Sequence, residues 1–179
     1  MIYIFLADGF EELEAIAPID LLRRAGVALQ TVGIGSTTPT GSHDVILRCD
    51  ISEDEVDCAA CTGVILPGGP GHKHLAKSAV VRECLAAVAA KDGMLAAICA
   101  APSILGKQGY LQGRRATCYP GFEDKLIGAT IVDASVVVDG NVITARAASA
   151  SIEFALACVE YCCGNAKANE IAAQICHER

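Results

Sequence analysis

Leu95-Ala-Ala-Ile-Cys99-Ala-Ala-Pro-Ser-Ile104 is the stretch on which the fold turns. An apolar run too short for a helix stops at a cysteine, and small residues then open an apolar helix. Pro102 suits the first helical turn, where its missing N–H has no partner to lose. The pattern reads as strand, sharp turn, helix, with Cys99 at the turn as a nucleophile elbow. Small neighbours matter there, because such a turn is strained and leaves no room for bulk. The position aims the sulfur at the positive end of a helix dipole, which predicts a lowered pKa and a reactive thiolate. The plain alternative is a buried structural cysteine, and that describes most of the other nine.

Outward from this turn, short β-rich runs alternate with longer amphipathic ones, the signature of βαβ units around a parallel sheet. Strands are expected at 2–7, 27–34, 64–66 and 94–98, with an extended edge piece at 45–47. Helices are expected at 11–25, closed by Gly26 and bent by Pro18, and at 78–91, with Ser78 as N-cap. A further helix opens at 101–106. Segment 115–150 reads as a short strand, a polar helix near 122–127 and two strands around an Asp139-Gly140-Asn141 hairpin turn. Two helices, 151–163 and 166–176, close the chain. No repeat or linker divides it, so residues 1–179 read as one domain.

Composition narrows the function classes. With 53% hydrophobic residues and few aromatics, the sheet is expected to be buried on both faces. No tryptophan is present for base stacking, and a net charge of −7 disfavours nucleic acid and anionic membranes. The N-terminus lacks a basic n-region and reads as a strand. The longest apolar stretch, 94–105, is too short to cross a bilayer. Ten cysteines without a leader point to the cytoplasm, with thiols mostly free and buried and no disulfide scaffold.

A second signal is Val64-Ile-Leu-Pro-Gly68-Gly69-Pro-Gly71, a buried strand ending in a glycine turn. Its backbone N–H groups, at Gly68 and Gly69, lie at the carboxyl edge where open α/β sheets bind ligands. With the Ala100 N–H they form an expected oxyanion hole beside Cys99; alone, the glycines would be a tight turn. Cys58-Ala-Ala-Cys61 precedes a strand instead of opening a helix, so neither a dithiol centre nor zinc is expected. His72-Lys-His74 reads as a solvated loop, not a metal clip. No Gly-Lys-Ser/Thr follows the glycines, so they form no phosphate loop.

Three motifs in order, Asp8-Gly-Phe-Glu-Glu-Leu-Glu14 through Asp20-Leu-Leu-Arg-Arg-Ala-Gly26, Leu66-Pro-Gly-Gly69, and Ala97-Ile-Cys99-Ala-Ala-Pro102, resemble the ThiJ/PfpI superfamily. The likeness is to its parkinsonism-associated deglycase branch, a class I glutamine amidotransferase-like group, and runs nearly the whole length. It implies a flavodoxin-like three-layer α/β sandwich with a mostly parallel central sheet, and a homodimer. It implies a catalytic Cys99 partnered by a protonated Glu14, with Gly69 and Ala100 as oxyanion donors. On helix 11–25, Glu14 lies beside Leu13 and Ile16 in sequence, and a desolvated carboxyl there would have a raised pKa; without the likeness it would read as a solvated helix-face residue. Tyr119 stands where some relatives have a histidine near the cysteine, with Cys118 and Pro120 as neighbouring pocket candidates. Ala101 replaces a common glycine, and Ala147-Ala-Ser-Ala150 replaces a Gly-Pro-Gly-like segment. The protease-like branch has histidine directly after its cysteine; here Ala100 follows, so peptide hydrolysis is not expected.

The expected function is glyoxalase III-like or deglycase-like chemistry on small α-oxoaldehydes such as methylglyoxal, or their adducts, without metal, cofactor or glutathione. The alternatives are an oxidative-stress sensor or chaperone-like protein switched by Cys99 oxidation, and an amidase on another metabolite.

Overall fold

The computed structural model describes residues 1–178. Seven strands form one sheet in the order β3-β2-β1-β4-β5-β9-β8. They are β1 (Ile2–Leu6), β2 (Leu29–Gly33), β3 (Ile51–Ser52), β4 (Gly63–Leu66), β5 (Met94–Ile98), β8 (Val136–Asp139) and β9 (Val142–Ala145). Every pairing is parallel except β8 on β9, the hairpin at Asp139–Val142. A separate parallel pair joins β6 (Arg115–Ala116) to β7 (Thr130–Ile131).

The strands are apolar throughout because both faces are covered. Along β1, Ile4 and Leu6 belong to one core cluster while Tyr3 and Phe5 belong to the other, as a period of two requires. Helices α1 (Glu12–Arg24), α5 (Ser151–Cys163) and α6 (Asn165–Gln174) cover the first face through Leu22, Phe154 and Ile171. Helices α3 (Ala79–Ala89) and α4 (Pro102–Lys107) cover the second through Leu85 and Ile104. The result is the flavodoxin-like three-layer sandwich. The order reverses between β1 and β4, which opens a crevice at their carboxyl ends.

The differences from the sequence reading are local. Glu11 is the N-cap of α1 and not its first residue, and the helix runs on through Pro18 to Arg24. Strand 27–34 shortens to Leu29–Gly33, and helix 78–91 to Ala79–Ala89 behind its Ser78 cap. The edge piece at 45–47 is reduced to one bridge, Thr40 to Ile46. The polar helix at 122–127 is a single 3-10 turn, Glu123–Lys125. His72–Leu75 is a short helix, α2, where a loop was expected.

The expectation that the thiols are mostly free and buried needs amending. Cys58 and Cys84 form a disulfide, and Cys162, Cys163 and Cys176 are exposed. Spacing along the chain hid the bridge, because Cys58 pairs across to α3 and not with its neighbour Cys61. No helix among the described residues is long and apolar enough to cross a membrane.

Candidate active site

Three carboxyl ends meet at the crevice: β1 leads into α1 with Glu14, β4 into Gly68-Gly69, and β5 into Cys99. Cys99 takes φ +65°, in the left-handed region, which costs a non-glycine residue about 1–2 kcal/mol. Two backbone bonds hold it there. Its N–H donates to Ala145 O at 2.9 Å, continuing the β5–β9 ladder, and its carbonyl accepts from Tyr119 N at 2.8 Å. The side chain is thereby turned off the end of β5, half-buried.

Glu14 is fully buried, whereas its neighbours Leu13 and Ile16 are 60% and 43% exposed. The expected desolvation of Glu14 is met, but not through its sequence neighbours. Helical spacing puts Glu14 inward with Ala15 and Pro18, and the apolar neighbours face solvent. The first turn of α1 is clamped by the glycine loop. Gly68 N donates to Glu14 Oε2 at 2.7 Å, and Glu11 N donates to Gly68 O at 3.2 Å. The Glu11 side chain caps the helix, accepting from Glu14 N at 2.9 Å. A Cβ on Gly68 would lie 2.7 Å from Cys99 Cβ and 2.8 Å from Glu14 Oε2, so only glycine allows the three groups to close up.

Gly68 is therefore not an oxyanion donor: its N–H is committed to the carboxylate. Gly69 and Ala100 are the residues whose N–H groups face the Cys99 sulfur and favour its charged form. The other carboxyl oxygen, Glu14 Oε1, is buried without a partner of ordinary hydrogen-bond geometry, yet Glu14 and the thiol are close enough to perturb one another.

Burial lifts the Glu14 carboxyl to about 7, against the pull of the Gly68 N–H and the thiol, with Glu11 adding to the rise. Burial, followed by the charge and hydrogen bond of Glu14, pushes the Cys99 thiol up to about 12, against the Gly69 and Ala100 N–H groups. The expectation of a lowered thiol pKa is overturned. The dipole of α4 is a six-residue affair and does not outweigh burial together with an adjacent carboxylate. One charge fits in this cleft, not two.

The remaining candidates separate. Tyr119 is 47% exposed and serves through its backbone N–H. Pro120 is exposed beside it. Cys118 is buried, and burial with Glu123 nearby pushes its thiol up to about 11, despite Phe122 N–H, Arg146 and Lys125. It lines a cavity of about 150 Å³ with Glu123, Asp133 and Arg146. Of two further residues, sequence reasoning set His72 aside as part of a solvated loop and passed over Ser103. His72 Nδ1 is 2.7 Å from Gly69 O, and Ser103 Oγ donates to Ala100 O at 2.6 Å. Their only signal was position, directly after the glycine turn and in the first turn after the cysteine.

Two other features fall away. A groove of about 520 Å³ between β8 and α5, with Val136, Leu156 and Tyr161 in its lining, contains no cysteine. Ligand atoms of Glu11, Glu12 and His43 lie within 4.8 Å of one another, but Glu12 is occupied by His43 N at 2.6 Å and His43 Nδ1 at 2.9 Å. That contact ties loop 36–47 to α1.

The DJ-1/PfpI family model matches residues 1–161. The chain belongs to this family. The Parkinson disease protein 7 homolog of Danio rerio is 37% identical over 178 residues, covering 96% of this chain and 92% of that protein. A Pyrococcus abyssi protein named as a deglycase is 33% identical over 147 residues, covering 81% and 89%. The structure of Toxoplasma gondii DJ-1 in oxidised form superposes with a TM-score of 0.95 at 31% identity, covering 99% of this chain and 98% of that one. The DJ-1/PfpI match includes every segment that builds the Cys99 crevice.

Proposed function

We propose that this chain is a cysteine-dependent enzyme acting on small α-oxoaldehydes or their adducts, with Cys99 as nucleophile and Glu14 as proton relay. The observation that carries this is the buried Glu14 carboxyl, lifted to about 7, beside a sulfur faced by the Gly69 and Ala100 N–H groups. Relatives named as deglycases support the same reading.

The reactive form is reached when the Cys99 thiol passes its proton to the Glu14 carboxylate, leaving the single negative charge on sulfur under the two N–H groups. The thiolate attacks the aldehyde carbon, forming a C–S bond, and the carbonyl oxygen becomes an oxyanion stabilised by the same donors. Glu14 protonates it to a hemithioacetal. The resulting carboxylate takes the C1 proton, leaving an enediolate, and returns that proton to C2 while the C1 hydroxyl proton passes to the C2 oxygen. The product is a 2-hydroxyacyl thioester, which one water hydrolyses to the 2-hydroxy acid and free thiol. Aldehyde plus water gives acid, and no electron leaves the substrate.

A second reading rests on the same geometry. Peroxide would oxidise the half-buried thiolate stepwise to a sulfinate, whose oxygens would find the Gly69 and Ala100 N–H groups and a protonated Glu14. Homodimerisation belongs with the proposal, because Leu13 and Ile16 present an apolar face on α1, 60% and 43% exposed.

The test is conversion of methylglyoxal to lactate by the purified protein, scored by lactate formation because free-aldehyde loss alone mimics adduct repair. Cys99→Ser and Glu14→Gln are each expected to lose about a hundredfold or more. Undiminished turnover in Cys99→Ser sinks the enzyme reading. Absence of turnover in the wild type, with selective peroxide oxidation of Cys99, leaves the second reading in its place.

A further inference from the structure

Four of the six lysines in this acidic chain gather at one place. Lys73, Lys77 and Lys107 line a cleft of about 310 Å³ with His72, Ser103 and Ile104. Lys125 stands close enough for its charge to act on His72, and its Nζ lies 3.8 Å over the Phe122 ring, which meets His72 edge-on. The group is assembled from α2 and the residues just after it, α4, and the turn at 123–125.

None of these four ammonium groups has a carboxylate partner among the described residues. The other two lysines do have partners: Lys167 pairs with Glu170, and Lys91 donates to Ala59 O. The cleft lining contains no Asp or Glu. In a chain of net charge −7, uncompensated positive charge in a concave site focuses field on whatever anion enters. The floor of the cleft is fixed. His72 is held on Gly69 O and Ser103 on Ala100 O, so two of the lining side chains are tied to the residues whose N–H groups face Cys99.

We propose that this cleft binds the phosphate of a small phosphate ester. Lysines act as point charges suited to a tetrahedral dianion, whereas paired recognition of a planar carboxylate favours arginine forks. The volume lies at the lower end of small-ligand sites, which span about 300–1,000 Å³. A nucleic acid is disfavoured because no Phe, Tyr or Trp lines the cleft and a chain of net charge −7 would repel a longer polyanion. The site stands whether or not Cys99 turns over dicarbonyls.

The experiment is titration of the full chain at low ionic strength with glycerol 3-phosphate, inorganic phosphate and a short single-stranded oligonucleotide, followed by calorimetry and amide chemical shifts. Expected are saturable binding of the ester at one site, at least as tight as inorganic phosphate, and shifts centred on residues 72–77 and 103–107. The double variant Lys73→Gln/Lys107→Gln should weaken it about tenfold or more, while Lys91→Gln/Lys167→Gln, with equal charge change, should not. Absence of saturation, shifts centred elsewhere, equal weakening by both double variants, or inorganic phosphate binding with the ester excluded would each overturn the proposal. So would tighter binding of the oligonucleotide through the same lysines, which would transfer the cleft to nucleic acid.

Discussion

The two ends of β4 and β5 hold two thiols, one fully buried and one half-buried, and prepare them for opposite fates. At the amino end, Cys61 is fully buried and its Sγ donates to Gly63 O at 3.3 Å. Burial raises its pKa, outweighing the Gly63 and Tyr3 contacts and the nearby positive charges. At the carboxyl end, the Cys99 sulfur is faced by N–H groups and a carboxyl that can hold the proton instead. A parallel sheet presents outgoing carbonyls at one end and incoming helix starts at the other. Burial alone makes an inert thiol; the direction of the surrounding peptide dipoles decides whether charge is tolerated.

The sharpest way to break the contrast is to add one methyl at each end. Gly68→Ala places a Cβ against Cys99 Cβ at 2.7 Å and Glu14 Oε2 at 2.8 Å. Cys99-dependent turnover should fall about a hundredfold or more, the effect of an ångström-scale displacement, with a loss of about 1–3 kcal/mol in chemical denaturation. Gly63→Ala meets only Ile2 Cγ1 at 3.2 Å and Met94 carbons at 3.3 Å, and should leave turnover intact. Equal losses at both ends would show that the carboxyl end is not specially fitted.

Glu14→Gln sharpens it through pH. The folded carboxyl titrates at about 7, above its ordinary 4.5. Its contribution to stability is therefore present below pH 4.5 and lost as pH rises through 7. The glutamine variant should be more stable than wild type by up to about 3 kcal/mol at pH 8, and no more stable at pH 4. Denaturation curves at both pH values decide it.

A smaller difference reports the backbone. Cys99→Gly and Cys99→Ala both remove the thiol, but only glycine relaxes φ +65°. Glycine should be the more stable of the two by about 1 kcal/mol, by thermal melting, and the order reverses if the elbow is unstrained. Smallest is Cys61→Ala, expected to lower stability by about 1 kcal/mol and leave turnover and Cys99 alkylation unchanged.

Much of this architecture was legible because apolar runs and glycine punctuation encode it locally. Strand Met94–Ile98 and helix Ser151–Cys163 matched residue for residue, and Cys99 stood out where a strand stopped without a polar turn. What sequence could not carry was direction and distance. It listed Gly68 among the oxyanion donors because adjacent glycines look alike, whereas folding gives one N–H to Glu14 and turns the next to sulfur. Glu14 itself sits between two apolar residues that face outward. The lysine cleft and the Cys58–Cys84 bridge join segments whose spacing encodes nothing.

The anchoring of the elbow at Tyr119 has a consequence for how the chain can vary. The bond that matters runs from the 119 amide to the Cys99 carbonyl, and any residue with an amide hydrogen can make it. Drift of the ring at this site, tyrosine or imidazole, retunes the mouth of the crevice while the geometry of attack stays fixed. Proline alone would unfasten it.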